Sequence, residues 1–246
     1  MVIGQQLEFQ SEILGQSRVL NIYLPNSYAA DSIKTYPVIY LLDGSIDEDF
    51  IHISGLVQFM SFPWLNYVPE SIVVGIANID RKHDFTLPTE NEEMTKAFPT
   101  TGGSAAFIEF LEKEVQPLVR AHFRTEGSGT LIGQSLGGLL ATEILFKKPD
   151  MFGNYIIISP SLWWDDESLL KMDVNGITEG KSIYVGVGKE GKVMEADAKE
   201  LFKKLNTMQA KKARVFFGFF PEQDHADALH QAAYDAFMKL FSGKEK

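Results

Sequence analysis

Between Thr130 and Leu145 the chain reads TLIGQSLGGLLATEIL: an apolar run, one hydroxyl, then a string of small and apolar residues. A strand that enters a helix through one sharp bend forces the bending residue into strained backbone, and the positions two before and two after it must be nearly free of side chain. Gly133 and Gly137 stand at those positions around Ser135. The pattern Gly133-Gln134-Ser135-Leu136-Gly137 therefore predicts a strand before Ser135, a serine presented at the bend, and a helix beginning at Leu136.

The rest of the chain is written to accept such a unit. PVIYLLDG (Pro37 to Gly44) and SIVVGIAN (Ser71 to Asn78) are short runs apolar on both faces, as strands covered on both sides must be. NYIIIS (Asn154 to Ser159), SIYVGVG (Ser182 to Gly188) and RVFFGFF (Arg214 to Phe220) are further strand candidates. Phe107, Phe110, Leu111, Val115 and Leu118 recur at helical spacing after Ser104, helical patterns occupy 194–208 and 226–241, and RTEGSG (124–129) reads as a loop by composition. Near the N-terminus, Leu20, Ile22 and Leu24 share one side of an alternating run, which with QLEFQS upstream predicts an antiparallel hairpin at a sheet edge.

Strands alternating with helices imply one mostly parallel sheet with helices on both faces. No linker, repeat or low-complexity tract interrupts the pattern, so residues 1–246 are expected to form a single domain. Three connections, 45–70, 80–103 and 159–181, are long for a compact domain. Two leave the ends of apolar strands, where open α/β sheets place their ligands, and these loops are expected to wall the site.

The formal net charge of −10, from 33 acidic and 23 basic side chains, comes with no Lys or Arg run able to follow a phosphate backbone. That argues against general nucleic-acid binding and against docking on anionic lipid. The absence of cysteine removes disulfides, thiolate zinc sites and a cysteine nucleophile together. The first twenty residues lack the basic start and apolar core of a signal peptide, and no apolar stretch reaches membrane-spanning length. The expected location is cytoplasmic for the chain as written, or periplasmic or secreted if a leader was removed.

A serine hydroxyl is a poor nucleophile alone; it needs a base within hydrogen-bond reach and a third group to hold that base in the right tautomer. Of the five histidines, His225 follows a strand through the short loop PEQD and directly precedes a helix, at the end of the sheet where the serine bend lies. His230 falls inside that helix and reads as helix surface, while His52, His83 and His122 precede Ser135, against the order serine, acid, histidine of this architecture. The acid is expected in VGVGKEGKVMEAD: Glu190 just past the strand is preferred, with Glu195 and Asp197, in the first turn of the next helix, as alternatives. Asp224 is too close to His225 to reach round to the same imidazole. For the tetrahedral oxyanion, the amides of Leu136 and of Ser45, after Gly44, are the expected donors. In SPSLWWDD (Ser159 to Asp166), Trp163 and Trp164 offer an apolar wall for substrate or a loop anchor.

Taken in order, VIYLLDG, IVVGIANIDRKHDFTLPT, LIGQSLGGLLATEILFKKPDMFGNYIIISPSLWWDD and FPEQDHADALHQA resemble the esterase D-like family of α/β-hydrolases. That family includes siderophore trilactone esterases, feruloyl esterases and mycolyltransferases. The resemblance runs from about Arg18 to Phe241 and implies an α/β-hydrolase fold without a large cap domain. It implies Ser135 as nucleophile, His225 as base and an acid after IYVGVG. It also brings Arg81 to the cleft as a substrate-binding residue, the alternative being a salt bridge to Asp84. Aspartate is common at the acid position; here GKEGK means that either a glutamate serves or the triad is weakened. The leading expectation is a serine carboxylester hydrolase acting through an acyl-enzyme on small to medium esters, requiring no metal or organic cofactor. Behind it stand a catecholate trilactone (siderophore) esterase, an acyltransferase on the same triad, and a non-catalytic binding module.

Overall fold

The computed structural model describes residues 3–173, 179–209 and 213–241. Strands β1 (Gln5–Ser11) and β2 (Gln16–Tyr23) form the expected antiparallel hairpin, with Gln5 opposite Ile22. The other strands are β3 (Tyr36–Leu41), β4 (Ile72–Ile76), β5 (Thr125–Gln134), β6 (Asn154–Ile158), β7 (Lys181–Gly188) and β8 (Ala213–Phe220). All lie in one sheet in the order β1-β2-β4-β3-β5-β6-β7-β8. β2 meets β4 antiparallel, and every pair from β4 through β8 is parallel.

The helices are α1 (Phe50–Met60), α2 (Arg81–Phe85), α3 (Glu92–Ala97), α4 (Ser104–Phe110), α5 (Gln116–His122), α6 (Leu136–Lys147), α7 (Ser168–Lys171), α8 (Lys192–Gln209) and α9 (Ala228–Phe241). A π-helical turn, Leu111–Val115, joins α4 to α5. Because side chains alternate along a strand, β3 sends Val38 and Tyr40 to one face and Ile39 and Leu41 to the other. On the first face they join a core with Phe107 of α4, Leu139 of α6 and Leu201 of α8. On the second they meet Ile53 and Val57 of α1 and Phe237 of α9. This is an α/β-hydrolase architecture. Among the described residues, no helix is long and apolar enough to cross a membrane.

Two expectations about local structure are overturned. RTEGSG is mostly strand: β5 starts at Thr125, paired with Tyr36, and the register against β3 shifts between Pro37 and Ile39. Gly127 and Gly129 have φ of 68° and 75°, so the loop-forming residues mark an irregularity inside a strand rather than its absence. The three long connections are not bare loops either, since they carry α1, α2 with α3, and α7. Ser54, Gly55 and the β-branched Ile51, Ile53 and Val57 weaken the local helical propensity of α1, and burial of Phe50, Ile53, Leu56, Val57 and Met60 outweighs it.

Parallel strands point their carboxyl ends the same way, so the segments after β3, β5, β6, β7 and β8 converge along one edge. That edge holds Asp43, Ser135, Ser161, Glu190 and His225.

Candidate active site

Ser135 has φ 58° and ψ −120°, a conformation side-chain-bearing residues rarely adopt. It is held there from both sides: its N–H donates to Ile158 O at 3.1 Å, and its carbonyl accepts from the Ser161 N–H at 3.1 Å. A Cβ on Gly133 would fall 2.3 Å from Gly137 O, so strand and helix can meet this closely only if residue 133 has none. Although Ser135 stands at the N-cap of α6, its hydroxyl makes no capping hydrogen bond. The group most often consumed in closing a helix end is here left free.

That hydroxyl lies 3.1 Å from His225 Nε2, across ninety positions of chain. On the other side of the ring, His225 Nδ1 lies 2.5 Å from Glu190 Oε2. The Glu190 carboxylate is buried, at 1% side-chain exposure. Burial alone would raise its pKa, but hydrogen bonds from His225, from the Ser159 hydroxyl and from the Gly188 N–H at 2.8 Å outweigh this and hold it below the usual range. An ionised Glu190 requires the imidazole proton on Nδ1, which leaves the Nε2 lone pair facing the serine. The loop carrying His225 is tied down by Gln134, whose amide donates to His225 O at 2.8 Å, and by Lys189 N–H donating to Gln223 O at 2.6 Å.

Of the other acids, Glu195 accepts the Gly191 N–H at 3.2 Å, closing the turn that opens α8. Asp197 is buried on α8, with Oδ2 lacking a partner among the described residues. Asp224 accepts the Ala226 N–H at 2.8 Å and shapes its own loop. Two of the remaining histidines occupy each other: His230, on the exposed side of α9, pairs with His52 of α1 at 2.7 Å.

Arg81 does not pair with Asp84, which is taken by the buried Arg18 at 2.5 Å. Instead Arg81 Nε and Nη2 donate to Asp43 at 2.5 and 2.9 Å, a bidentate geometry, and Nη2 also reaches Gln134 O at 3.2 Å, next to the serine. Burial works against the guanidinium charge, but Asp43, Glu48 and Asp49 more than offset it and keep it above its ordinary value. Asp49, half-buried beside Asp43 and Glu48, is pushed up to about 6, chiefly by burial.

Leu136 supplies its amide at the first position of α6, and no protein acceptor takes that N–H among the described residues. The amide of Ser45, the other expected donor, is already engaged. Its N–H donates to Glu48 Oε2 at 3.2 Å, and Glu48 N–H returns a bond to Ser45 O at 3.1 Å. The run Ser-x-x-Glu closes on itself like a helix cap, which occupies the Ser45 amide. Ser45 lines neither of the two cavities that Ser135 opens into.

The larger of those cavities, about 470 Å³, is lined by Ile79, Asp80, Arg81, Lys82, Phe98, Ser161 and Trp163 together with Ser135 and Leu136. The smaller, on the His225 side, is about 370 Å³ and bounded by Asp43, Glu48, Asp49 and Arg81. The two tryptophans part here. Trp163 is partly exposed and faces the cavity, whereas Trp164 is fully buried and donates its indole N–H to Leu87 O at 2.9 Å. A substrate cannot touch Trp164; it anchors the loop, which corrects its expected place in a substrate wall. Gln134, Ser159, Ser161 and Phe98 join the site without having been singled out from sequence, whereas Lys82, next to Arg81 in the chain, is a basic residue the sequence offers to an anionic substrate. The only local signal was that Ser159 and Ser161 flank a proline directly after a strand. Among the described residues, no cluster of histidine, aspartate and glutamate has the makings of a metal site.

Known proteins share this arrangement of chain. The ferri-bacillibactin esterase BesA of Bacillus subtilis is 27% identical over 237 residues, which cover 87% of this chain and 82% of that protein. The IroE-like serine hydrolase from Shewanella oneidensis superposes with a TM-score of 0.87 at 29% identity, over 97% of this chain and 80% of that one. The BES protein from Bacillus cereus does so at 0.85 and 28% identity, over 98% and 97%. The sequence model of the Esterase family, described as "Putative esterase", matches residues 11–245, and the chain accordingly belongs to that family and is an esterase.

Proposed function

We propose that the protein is a serine esterase that forms an acyl-enzyme, and that its substrates are siderophore-type esters, catecholate trilactones in particular. The observation that carries the mechanism is the unbroken relay from Ser135 Oγ through His225 to a buried, ionised Glu190. Ser135 attacks the ester carbonyl while His225 Nε2 takes its proton. Glu190 keeps that imidazole in the productive tautomer and stabilises the imidazolium. The Leu136 amide and the positive end of α6 face the developing oxyanion. Arg81, which reaches the carbonyl of Gln134 beside the serine, adds a positive charge near the reaction, while Ser45 contributes its amide only after releasing Glu48. His225 then returns the proton to the departing alcohol, and a water attacks the acyl-enzyme by the same route in reverse.

Sequence alone ranked a general carboxylester hydrolase first. The match to a ferri-bacillibactin esterase supports moving the siderophore reading ahead of it. The larger cavity is consistent with that class: Trp163 and Phe98 offer ring faces to catechols, and Lys82 offers charge to an anionic substrate beside an Arg81 already paired with Asp43. The test is a hydrolysis panel of a catecholate trilactone, a feruloyl ester and short and long p-nitrophenyl esters, on wild type and Ser135→Ala. The trilactone is expected to have a kcat/KM about a hundred-fold or more above the aryl esters, with Ser135→Ala inactive on all. A preference for simple aryl esters would overturn the substrate class, and turnover by Ser135→Ala would overturn the mechanism.

A further inference from the structure

Ser159-Pro160-Ser161 lies directly after β6 and touches both ends of the relay. The Ser159 hydroxyl donates to Glu190 Oε1. Two residues on, Ser161 Oγ lies 3.3 Å from Ser135 Oγ. Both serines are buried, at 0% and 3% exposure, and no other partner of either hydroxyl is found among the described residues. With the Ser135 proton directed at His225, the Ser161 hydroxyl is the donor of its pair.

Side chains two apart in an extended segment point the same way and could not serve targets on opposite sides of a histidine. Ser159 breaks that rule with φ 45°, a left-handed backbone at a residue that bears a side chain. The strain is held by the surroundings. Ser159 N–H donates to Gly186 O at 2.8 Å, and Ser161 N–H to Ser135 O at 3.1 Å. Gly138 of α6 comes so close that a Cβ there would lie 2.9 Å from Pro160 Cα. The buried Trp164, whose backbone N–H donates to Ser161 O at 3.1 Å, closes the turn behind.

We infer that this tripeptide is a clamp that sets the nucleophile and the acid in register on either side of His225, with Ser159 and Ser161 as positioning residues. The inference rests on the serine-esterase reading above. Ser159 fixes one carboxylate oxygen so that the other faces His225 Nδ1. Ser161 holds the lone pairs of Ser135 Oγ, leaving its proton aimed at Nε2. Strain is tolerated at such positions when the neighbouring structure over-determines them and the geometry serves the chemistry.

The test uses p-nitrophenyl butyrate turnover, thermal melting and labelling by a fluorophosphonate probe. Ser159→Gly removes the hydroxyl while relieving the backbone, so it should melt no lower than wild type, yet kcat should fall about ten-fold with KM within about two-fold. Its acid limb of kcat/KM should move to higher pH, because a carboxylate relieved of one donor holds the imidazolium proton more tightly. Ser161→Ala should lose kcat by a similar factor at unchanged melting temperature, and Ser161→Thr, which keeps a hydroxyl, should recover most of it. The double variant should lose less than the product of the two, as parts of one unit do. Wild-type kcat in both single variants, or a loss confined to KM, would overturn the clamp. If Ser135→Ala is dead to substrate and probe while both clamp variants run at the wild-type rate, only the clamp fails. If Ser135→Ala still turns over, the serine mechanism fails and the clamp with it.

Discussion

Glu190 and Asp197 are buried carboxylates seven positions apart, one just before α8 and one in its second turn, and their surroundings drive them in opposite directions. Three donors converge on Glu190, from His225, Ser159 and Gly188, and hold it below the usual carboxylate range. Asp197 has an oxygen with no partner among the described residues, and burial, reinforced by Glu167 and Glu200, pushes it up to about 6. Burial by itself makes a carboxylate reluctant to ionise. What makes Glu190 an anion able to orient an imidazole is the set of donors arranged around it.

The largest expected effect comes from removing the charge that these donors support. Glu190→Gln should lower kcat by about a thousand-fold or more, because the amide cannot favour the Nδ1-protonated tautomer or stabilise the imidazolium. Rates measured beside Asp197→Asn and Glu195→Gln, which should stay close to wild type, decide among the three acids, and a large loss at either of those two would break the contrast. The pH profile comes next. Since Glu190 stays ionised below the ordinary carboxylate range, the acid limb of kcat/KM should fall with unit slope, from an imidazole that can no longer accept the serine proton. A limb of slope two would mean that a carboxylate titrates with it.

Asp197 should show itself in stability rather than rate. Its folded pKa of about 6 lies above the ordinary aspartate value of 3.8, so its native-state penalty is fully present above pH 6 and disappears as pH falls toward 4. Asp197→Asn should therefore raise unfolding free energy by about 1–3 kcal/mol at pH 8 and by little at pH 4, as read from urea melts at the two values. A gain independent of pH would assign the effect to packing instead. The smallest change is expected at Glu195, whose hydrogen bond to Gly191 N is exposed: Glu195→Gln should shift stability by no more than about 0.5 kcal/mol in the same melts.

The order of strands and helices was legible because apolar runs of strand length and helical spacing are local signals. The elbow was legible for a stronger reason: a serine between glycines at those offsets has few other backbones to adopt. RTEGSG was misread since Gly127 and Gly129 carry the same turn chemistry whether they sit in a loop or in an irregular strand. α1 escaped notice because its stability comes from packing against α9 and the sheet rather than from its own propensity.

Within the site, the chain by itself determined the chemistry on offer: a hydroxyl at a strained bend, a histidine after the last strand, and acids after the strand before it. Tertiary structure alone decided which acid lies at the imidazole, which tryptophan faces substrate, and that Ser45 closes its own turn. It also brought Ser159 and Ser161 to opposite ends of the relay. The reason is that donors to Glu190 and Ser135 come from the ends of different strands, joined through space by a parallel sheet, and sequence periodicity reports only the face a residue takes on its own element.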